Sequence, residues 1–151
     1  TIKAVAAKDD IIAIKIKSSR MMLASSFMHR VFEIFDNYNR PIDMIATSEV
    51  GVSITIDNPL KLEHIVDELK EIGTVSIDRD MVIICVVGDL DWHNRGYEAA
   101  AIDALRDIPV RMISYGGSNN NISFLVSKED KIPALRALQK HLFSNCQPSN
   151  P

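Results

Sequence analysis

The sequence predicts an α+β fold built from two βαββαβ modules, each an antiparallel sheet with its helices on one face. Three observations carry this. Residues 41–56 and 109–126 repeat one pattern: Pro41-Ile42-Asp43-Met44-Ile45 returns as Pro109-Val110-Arg111-Met112-Ile113, and each is followed by a polar corner and a serine-containing apolar strand. Amphipathic helical stripes flank both strand pairs. The second copy runs out one strand short, while a strand-like segment, residues 2–6, stands unassigned at the front. An uncovered sheet edge leaves a row of unpaired backbone groups, so residues 2–6 are expected to complete the second sheet, with the first module inserted in the second. That gives a first module over residues 9–80, a second over residues 1–8 plus 81–145, and a disordered tail over residues 146–151.

Taken in order, Lys8-Asp9-Asp10 reads as a charged turn, and residues 11–17 end in the two-residue alternation of a half-buried strand. Phe27, Val31, Ile34, Phe35 and Tyr38 form one stripe of a helix, with Ser25 or Ser26 as its N-cap. Asn39-Arg40-Pro41 ends it. The strand pair 42–46 and 50–56 follows, then a stripe of Leu62, Ile65, Val66, Leu69 and Ile72 that Gly73 should cap. Residues 74–77 make a short strand and close a series of the ferredoxin-like kind. The continuous apolar run 81–87 suits a central strand buried on both faces. A polar loop, residues 88–95, leads to a helix with Tyr97, Ala101, Ala104, Leu105 and Ile108 on one stripe. Strands at 109–114 and 121–126 and a helix carrying Ile132, Leu135, Leu138 and Leu142 complete the chain.

With 46% hydrophobic and 25% charged residues over 151 positions, the chain can bury a core in each module. Lys and Arg number 17 against 20 Asp and Glu, a net charge of -3 without runs of one sign, which disfavours nucleic acid and acidic membrane as partners. Cys85 lies in an apolar run and Cys146 in a polar tail. Neither spacing suits a disulfide framework or a metal, so reduced thiols in a cytoplasmic setting are expected. The longest apolar stretch is far short of a membrane span.

No catalytic constellation emerges. His29, His64, His93 and His141 are scattered, and no nucleophile elbow or phosphate-binding loop with its lysine is present. Gly116-Gly117-Ser118 leads into a strand and reads as a turn. The paired acids Asp9-Asp10, Asp78 with Asp80, and Asp89 with Asp91 read as solvated turn carboxylates. The segment around Asp91 and His93 lacks the ligand count of a metal site. The expected assignments are therefore no catalytic residue, no metal and no cofactor in this chain.

A binding site is legible instead. In a βαββαβ module the first helix starts near the corner joining the second and third strands. Amides at Ser26, Phe27 and Met28 would offer an anion site for a carboxylate, and Asp43, Ser48 and Glu49 offer acceptors for ammonium groups. Met21, Phe27, Met28 and Ile42 could hold an aliphatic chain between these ends. An alternative is that Asp43 is a solvent-facing strand residue and Thr47-Ser48-Glu49 an ordinary turn. The repeats differ at this place, however: Asp43 corresponds to Arg111, and Thr47-Ser48-Glu49 to a longer Gly-Gly-Ser-Asn-Asn corner with no acid. One module alone is equipped for a cationic ligand.

Met21-Met22-Leu23 with Ser26-Phe27, Val31-Phe32-Glu33-Ile34, the run from Ile42 through Thr47-Ser48-Glu49-Val50, and Arg111-Met112-Ile113-Ser114-Tyr115-Gly116 with Asn120-Asn121-Ile122-Ser123-Phe124 together resemble the tandem ACT regulatory region of aspartokinase, in its lysine-sensitive monofunctional branch. The resemblance covers nearly the whole chain. It implies an effector site for lysine formed by Met21, Ser26, Phe27, Met28, Ile42, Asp43, Ser48 and Glu49, with Asp43 meeting the side-chain ammonium. It also implies a homodimer through the first ACT module and an N-terminal kinase domain, absent here, that uses ATP and magnesium to phosphorylate aspartate. Ser26 stands where many relatives carry glycine, which narrows the pocket mouth. Two further readings stay open: a dimerisation module without an effector, and an ACT pair sensing threonine or methionine.

Overall fold

A computed structural model of the chain describes residues 1–19 and 23–143. Met21, one of the expected site residues, and the expected tail over 146–151 lie outside them. The elements are β1 (Ile2–Ser18), α1 (Ala24–Asn37), β2 (Ile45–Thr47), β3 (Gly51–Ile56), α2 (Leu62–Lys70), β4 (Gly73–Gly88), α3 (Tyr97–Ala104), β5 (Met112–Tyr115), β6 (Asn121–Ser127), a single 3-10 turn (Lys128–Asp130) and α4 (Lys131–Phe143). They divide into two compact units, Asp10–Asp80 and Thr1–Asp9 with the described residues from Met81 onward. One unit is thus inserted in the other.

The inserted unit orders its strands β2-β3-β1-β4, antiparallel, with Ile12 opposite Ile56 and Lys17 opposite Gly51. Ile12, Ile14 and Ile16 of β1 alternate onto one face with Val52, Ile54 and Ile56 of β3 and meet Phe27, Val31, Ile34 and Phe35 of α1 and Leu62, Ile65 and Leu69 of α2. Burying each such side chain fully contributes about 1.5–3 kcal/mol. The helical stripes expected from sequence are the ones buried here. Gly73 opens β4 and does not cap α2: Glu71 closes that helix, and a Cβ on Gly73 would strike the Lys17 carbonyl of the neighbouring strand.

The other unit repeats the order as β5-β6-β4-β1, with Ile84 opposite Phe124. Residues 1–9 supply its edge: the Asp89 amide donates to the Thr1 carbonyl (2.9 Å), Ile2 and Val5 pack on the core, and Lys131 at the start of α4 pairs with Asp9 (2.9 Å). That core holds Val82, Ile84, Val86, Phe124, Ala134 and Leu138. Ile132, expected on the buried stripe of α4, is 51% exposed, and Ala134 takes the inward place.

Two expected turns are absent. Lys8-Asp9-Asp10 and the segment around Asp78 and Asp80 lie inside β1 and β4. The chain there bends by one residue instead: Asp10 (φ 59°) and Asp80 (φ 57°) adopt the left-handed conformation, which Asp tolerates better than most side chains.

Candidate functional site

The first turn of α1 starts earlier than its serines suggest. Leu23 is the N-cap, extended and without a side-chain cap bond, and the first intrahelical bond runs from the Phe27 amide to the Leu23 carbonyl (3.0 Å). Ser25 and Ser26 therefore lie within the first turn and cap nothing. The amides outside the helix's own ladder are those of Ala24, Ser25 and Ser26; the Phe27 amide is already bonded and that of Met28 lies one residue further in. Phe27 itself is 2% exposed and belongs to the core, while Met28 and Ile42 are half-buried against that same core. Ser26 is exposed.

Asp43 precedes a strand that begins later than expected, at Ile45. Its amide donates to the Thr55 carbonyl (2.9 Å), the Thr55 amide donates to the Met44 carbonyl (3.0 Å), and the Met44 amide donates to Thr55 Oγ1 (2.8 Å). Asp43 and Met44 thus both oppose Thr55, the two-against-one arrangement of a β-bulge. The strand then turns tightly: Thr47 pairs with Val52, and the Ser48 amide donates to the Gly51 carbonyl (2.9 Å). Asp43, Ser48 and Glu49 are all exposed, but at opposite ends of β2: Asp43 lies opposite Thr55 and Ser48 opposite Gly51. Leu23, Ile45 and Val50 are exposed apolar residues of the same unit. Carboxylates and a hydroxyl at the two ends of one short strand can accept ammonium groups, with exposed apolar Ile45 between them and Val50 just after; no nucleophile is paired with a base among these residues.

The other unit repeats this backbone frame and packs a loop residue against it. Met112 pairs with Leu125 as Ile45 pairs with Ile54 one step on, and the Arg111 amide donates to the Leu125 carbonyl (2.7 Å), so Arg111 stands in the backbone position of Asp43. Leu90, 2% exposed, fills the loop side of the core; its amide donates to the Asn119 carbonyl (2.8 Å), and its carbonyl accepts the Tyr115 hydroxyl (3.1 Å). Next to it Asp91 accepts the His93 amide (3.0 Å) and pairs with the His93 ring (2.7 Å), and Trp92 stacks on that ring. These bonds, the backbone one foremost, hold the Asp91 carboxyl below its ordinary range.

Other polar groups serve the surface. Arg30 pairs with Glu33 (2.7 Å) and Glu68 (3.4 Å) between α1 and α2, and a hydrogen bond with Glu68 is the main cause raising the Tyr38 phenol. A hollow of about 710 Å³ runs along the outer side of α1 by His29, Asp36 and Arg40; of the expected site residues it includes Ile42 alone. His29, His64, His93 and His141 are exposed, and no cluster of metal-ligating side chains occurs among the described residues. No helix among them is long and apolar enough to cross a membrane. Sequence reasoning missed Thr55 and Leu90. Each carries a signal in retrospect: a polar residue within an apolar run, and an apolar residue within a polar loop.

A family model for the ACT domain matches residues 84–142. The chain is 58% identical to a candidate C-terminal regulatory domain of aspartate kinase from Porphyromonas gingivalis W83, with a TM-score of 0.87 over 93% of this chain and 96% of that one. It is 34% identical to the aspartokinase of Candida albicans over 92% of this chain and 27% of that protein. It is 28% identical to Escherichia coli aspartokinase III in complex with lysine and aspartate, in a T-state, with a TM-score of 0.81 over 94% of this chain and 33% of that one. The chain spans about a quarter of the length of the curated relatives it matches.

Proposed function

Because the chain belongs to the ACT-domain regulatory regions of aspartokinases, we propose that its inserted unit binds an end-product amino acid, L-lysine, and through it feedback-inhibits aspartate phosphorylation. The observation that carries this is the difference between two equivalent corners: Asp43 with Ser48 and Glu49 in one unit, Arg111 with glycines and amides in the other. Asp43 accepts the side-chain ammonium of the ligand, and Glu49 and Ser48 supply further acceptors. The amides at the start of α1, around Ser26, take the carboxylate, with Met28 and Ile42, and Met21 by the family pattern, along the aliphatic stem. Phe27 supports this wall from the core. The Escherichia coli relative whose structure holds lysine supports the choice of ligand.

The exposed Leu23, Ile45 and Val50 and the unshared edge of β2 favour a homodimer formed by two inserted units side by side, which shields the ligand from water. The catalytic work belongs to an N-terminal kinase domain of the parent protein, with its ATP and magnesium, in the cytoplasm. Lysine inhibits by binding the low-activity arrangement more tightly, a coupling of roughly 1–3 kcal/mol.

Calorimetric titration of this chain with lysine tests the reading. Binding that Asp43→Ala weakens supports it. Heat with threonine or methionine and none with lysine reassigns the effector, and a ligand-independent dimer that binds no amino acid leaves dimerisation as the function.

A further inference from the structure

Trp92 is the chain's single tryptophan; it is 74% exposed and stands apart from the side chains that pack on the core of its unit. Isolated apolar residues are common on protein surfaces. Trp92 differs in that the loop carrying it is tied down on both sides. Leu90 is anchored in the core and bonded to Asn119 and Tyr115. On the other flank Asp91 accepts the His93 amide and pairs with the His93 ring, its carbonyl accepts the Asn94 amide (2.8 Å), and the indole stacks on the His93 ring at 3.8 Å between centroids. None of these bonds serves to bury Trp92. An exposed indole held in one place has little freedom left to lose on binding, which is the property of an interface anchor.

The same loop marks where the chain enters the unit. The Asp89 amide donates to the Thr1 carbonyl (2.9 Å), and the Thr1–Ile2 backbone lies so close to Gly88 that a Cβ there would strike it. A segment preceding Thr1 therefore emerges beside the loop that carries Trp92. The 58% identical Porphyromonas gingivalis relative is a candidate C-terminal regulatory domain, so in a protein of that kind the larger part lies on the Thr1 side. We propose that Trp92 is the anchor on which this preceding part of the parent protein, the kinase domain of the reading above, docks against the unit. The proposal rests on that reading and adds the surface through which the two parts hold each other.

The test uses the full-length parent labelled with fluorotryptophan, the Trp92 resonance being the one missing from Trp92→Phe. Broadening by a soluble gadolinium chelate, measured without lysine, reports the solvent contact of the indole. Docking predicts a Trp92 signal broadened several-fold less than that of free fluorotryptophan, at every protein concentration. In the same parent Trp92→Ala is expected to speed limited proteolysis of the junction before Thr1 roughly tenfold, and Trp92→Phe to speed it less. A Trp92 as exposed in the parent as the free amino acid overturns the proposal, and so does junction cleavage unmoved in Trp92→Ala. Shielding that grows only as concentration rises assigns the indole to a second copy and overturns it too. A parent with no kinase domain before Thr1 defeats the functional reading together with this one, whereas a failure to bind lysine defeats the effector reading alone.

Discussion

The corner after β2 and the corner after β5 share a backbone and differ in the side chains they carry. In both, the residue before the strand donates its amide to the same ladder position, Thr55 or Leu125, and the register continues identically. Beside β5 the polar loop returns Leu90 into the core and ties it from both sides, through Asn119 and Tyr115. Beside β2, Thr47 occupies the position of Tyr115 and carries no phenol to reach a loop. The comparison teaches that a duplicated fold keeps its frame while the side chains on its corners diverge, to acids and a hydroxyl in one copy and to an arginine, glycines and amides in the other.

Breaking the Leu90 anchor should have the largest effect. Leu90→Ala removes a side chain 2% exposed in the core of its unit and is expected to cost about 2–5 kcal/mol, read as a lowered thermal midpoint, with lysine affinity of the inserted unit unchanged. A loss of lysine binding at temperatures where the variant is folded would show that the two corners are not independent. Exchanging the corner charges comes next. Asp43→Ala should weaken lysine by about 1.5–3 kcal/mol, the range of hydrogen bonds to charged groups, whereas Arg111→Ala at the equivalent position should leave calorimetric binding intact. Equal effects from both would erase the asymmetry on which the functional reading stands.

Tyr115→Phe deletes one hydrogen bond to the Leu90 carbonyl and should cost roughly 0.5–1.5 kcal/mol in urea unfolding, a fraction of the Leu90 effect. The smallest expected effect concerns Asp91. Its carboxyl is held below the ordinary value of 3.8, first by the His93 amide and then by the His93 ring. A depressed carboxyl stabilises the fold above its unfolded pKa, and the contribution fades as pH falls through the folded value. Asp91→Asn should therefore flatten the acid limb of the stability curve below about pH 4 and leave the neutral plateau nearly unmoved. A titration of Asp91 by carbon-detected NMR at the free-aspartate value would remove the basis for this.

Elements with strong periodicity were legible in the sequence: α1, α2 and the β2–β3 and β5–β6 pairs follow from stripes and repeats that burial then selects. The insertion followed from one missing edge strand. What was not legible lay where local chemistry admits two answers. Asp10 and Asp80 look like turn residues because Asp suits turns, yet the same tolerance of the left-handed region lets a strand bend and continue. Ser25 and Ser26 have the chemistry of an N-cap, but the helix begins at Ala24 with Leu23 in the extended conformation. Gly73 resembled a cap because spacing cannot show a neighbouring carbonyl. At the candidate site the residue types were readable, while the bulge was not, because it depends on how the backbone of one strand pairs with that of another.

The edge strand formed by residues 1–9 makes the order of synthesis part of the folding problem. These residues leave the ribosome before the inserted unit, yet their partner strand begins at Met81, so their own unit cannot close until the whole of Asp10–Asp80 has been made. Closing a flexible loop of that length has an entropic cost that grows with the logarithm of its size, whereas a folded insertion delivers both ends already fixed. The inserted unit is therefore the natural first folding unit, and a lesion in its core, at Ile14 or Ile54 for example, should delay assembly of a unit to which neither residue belongs.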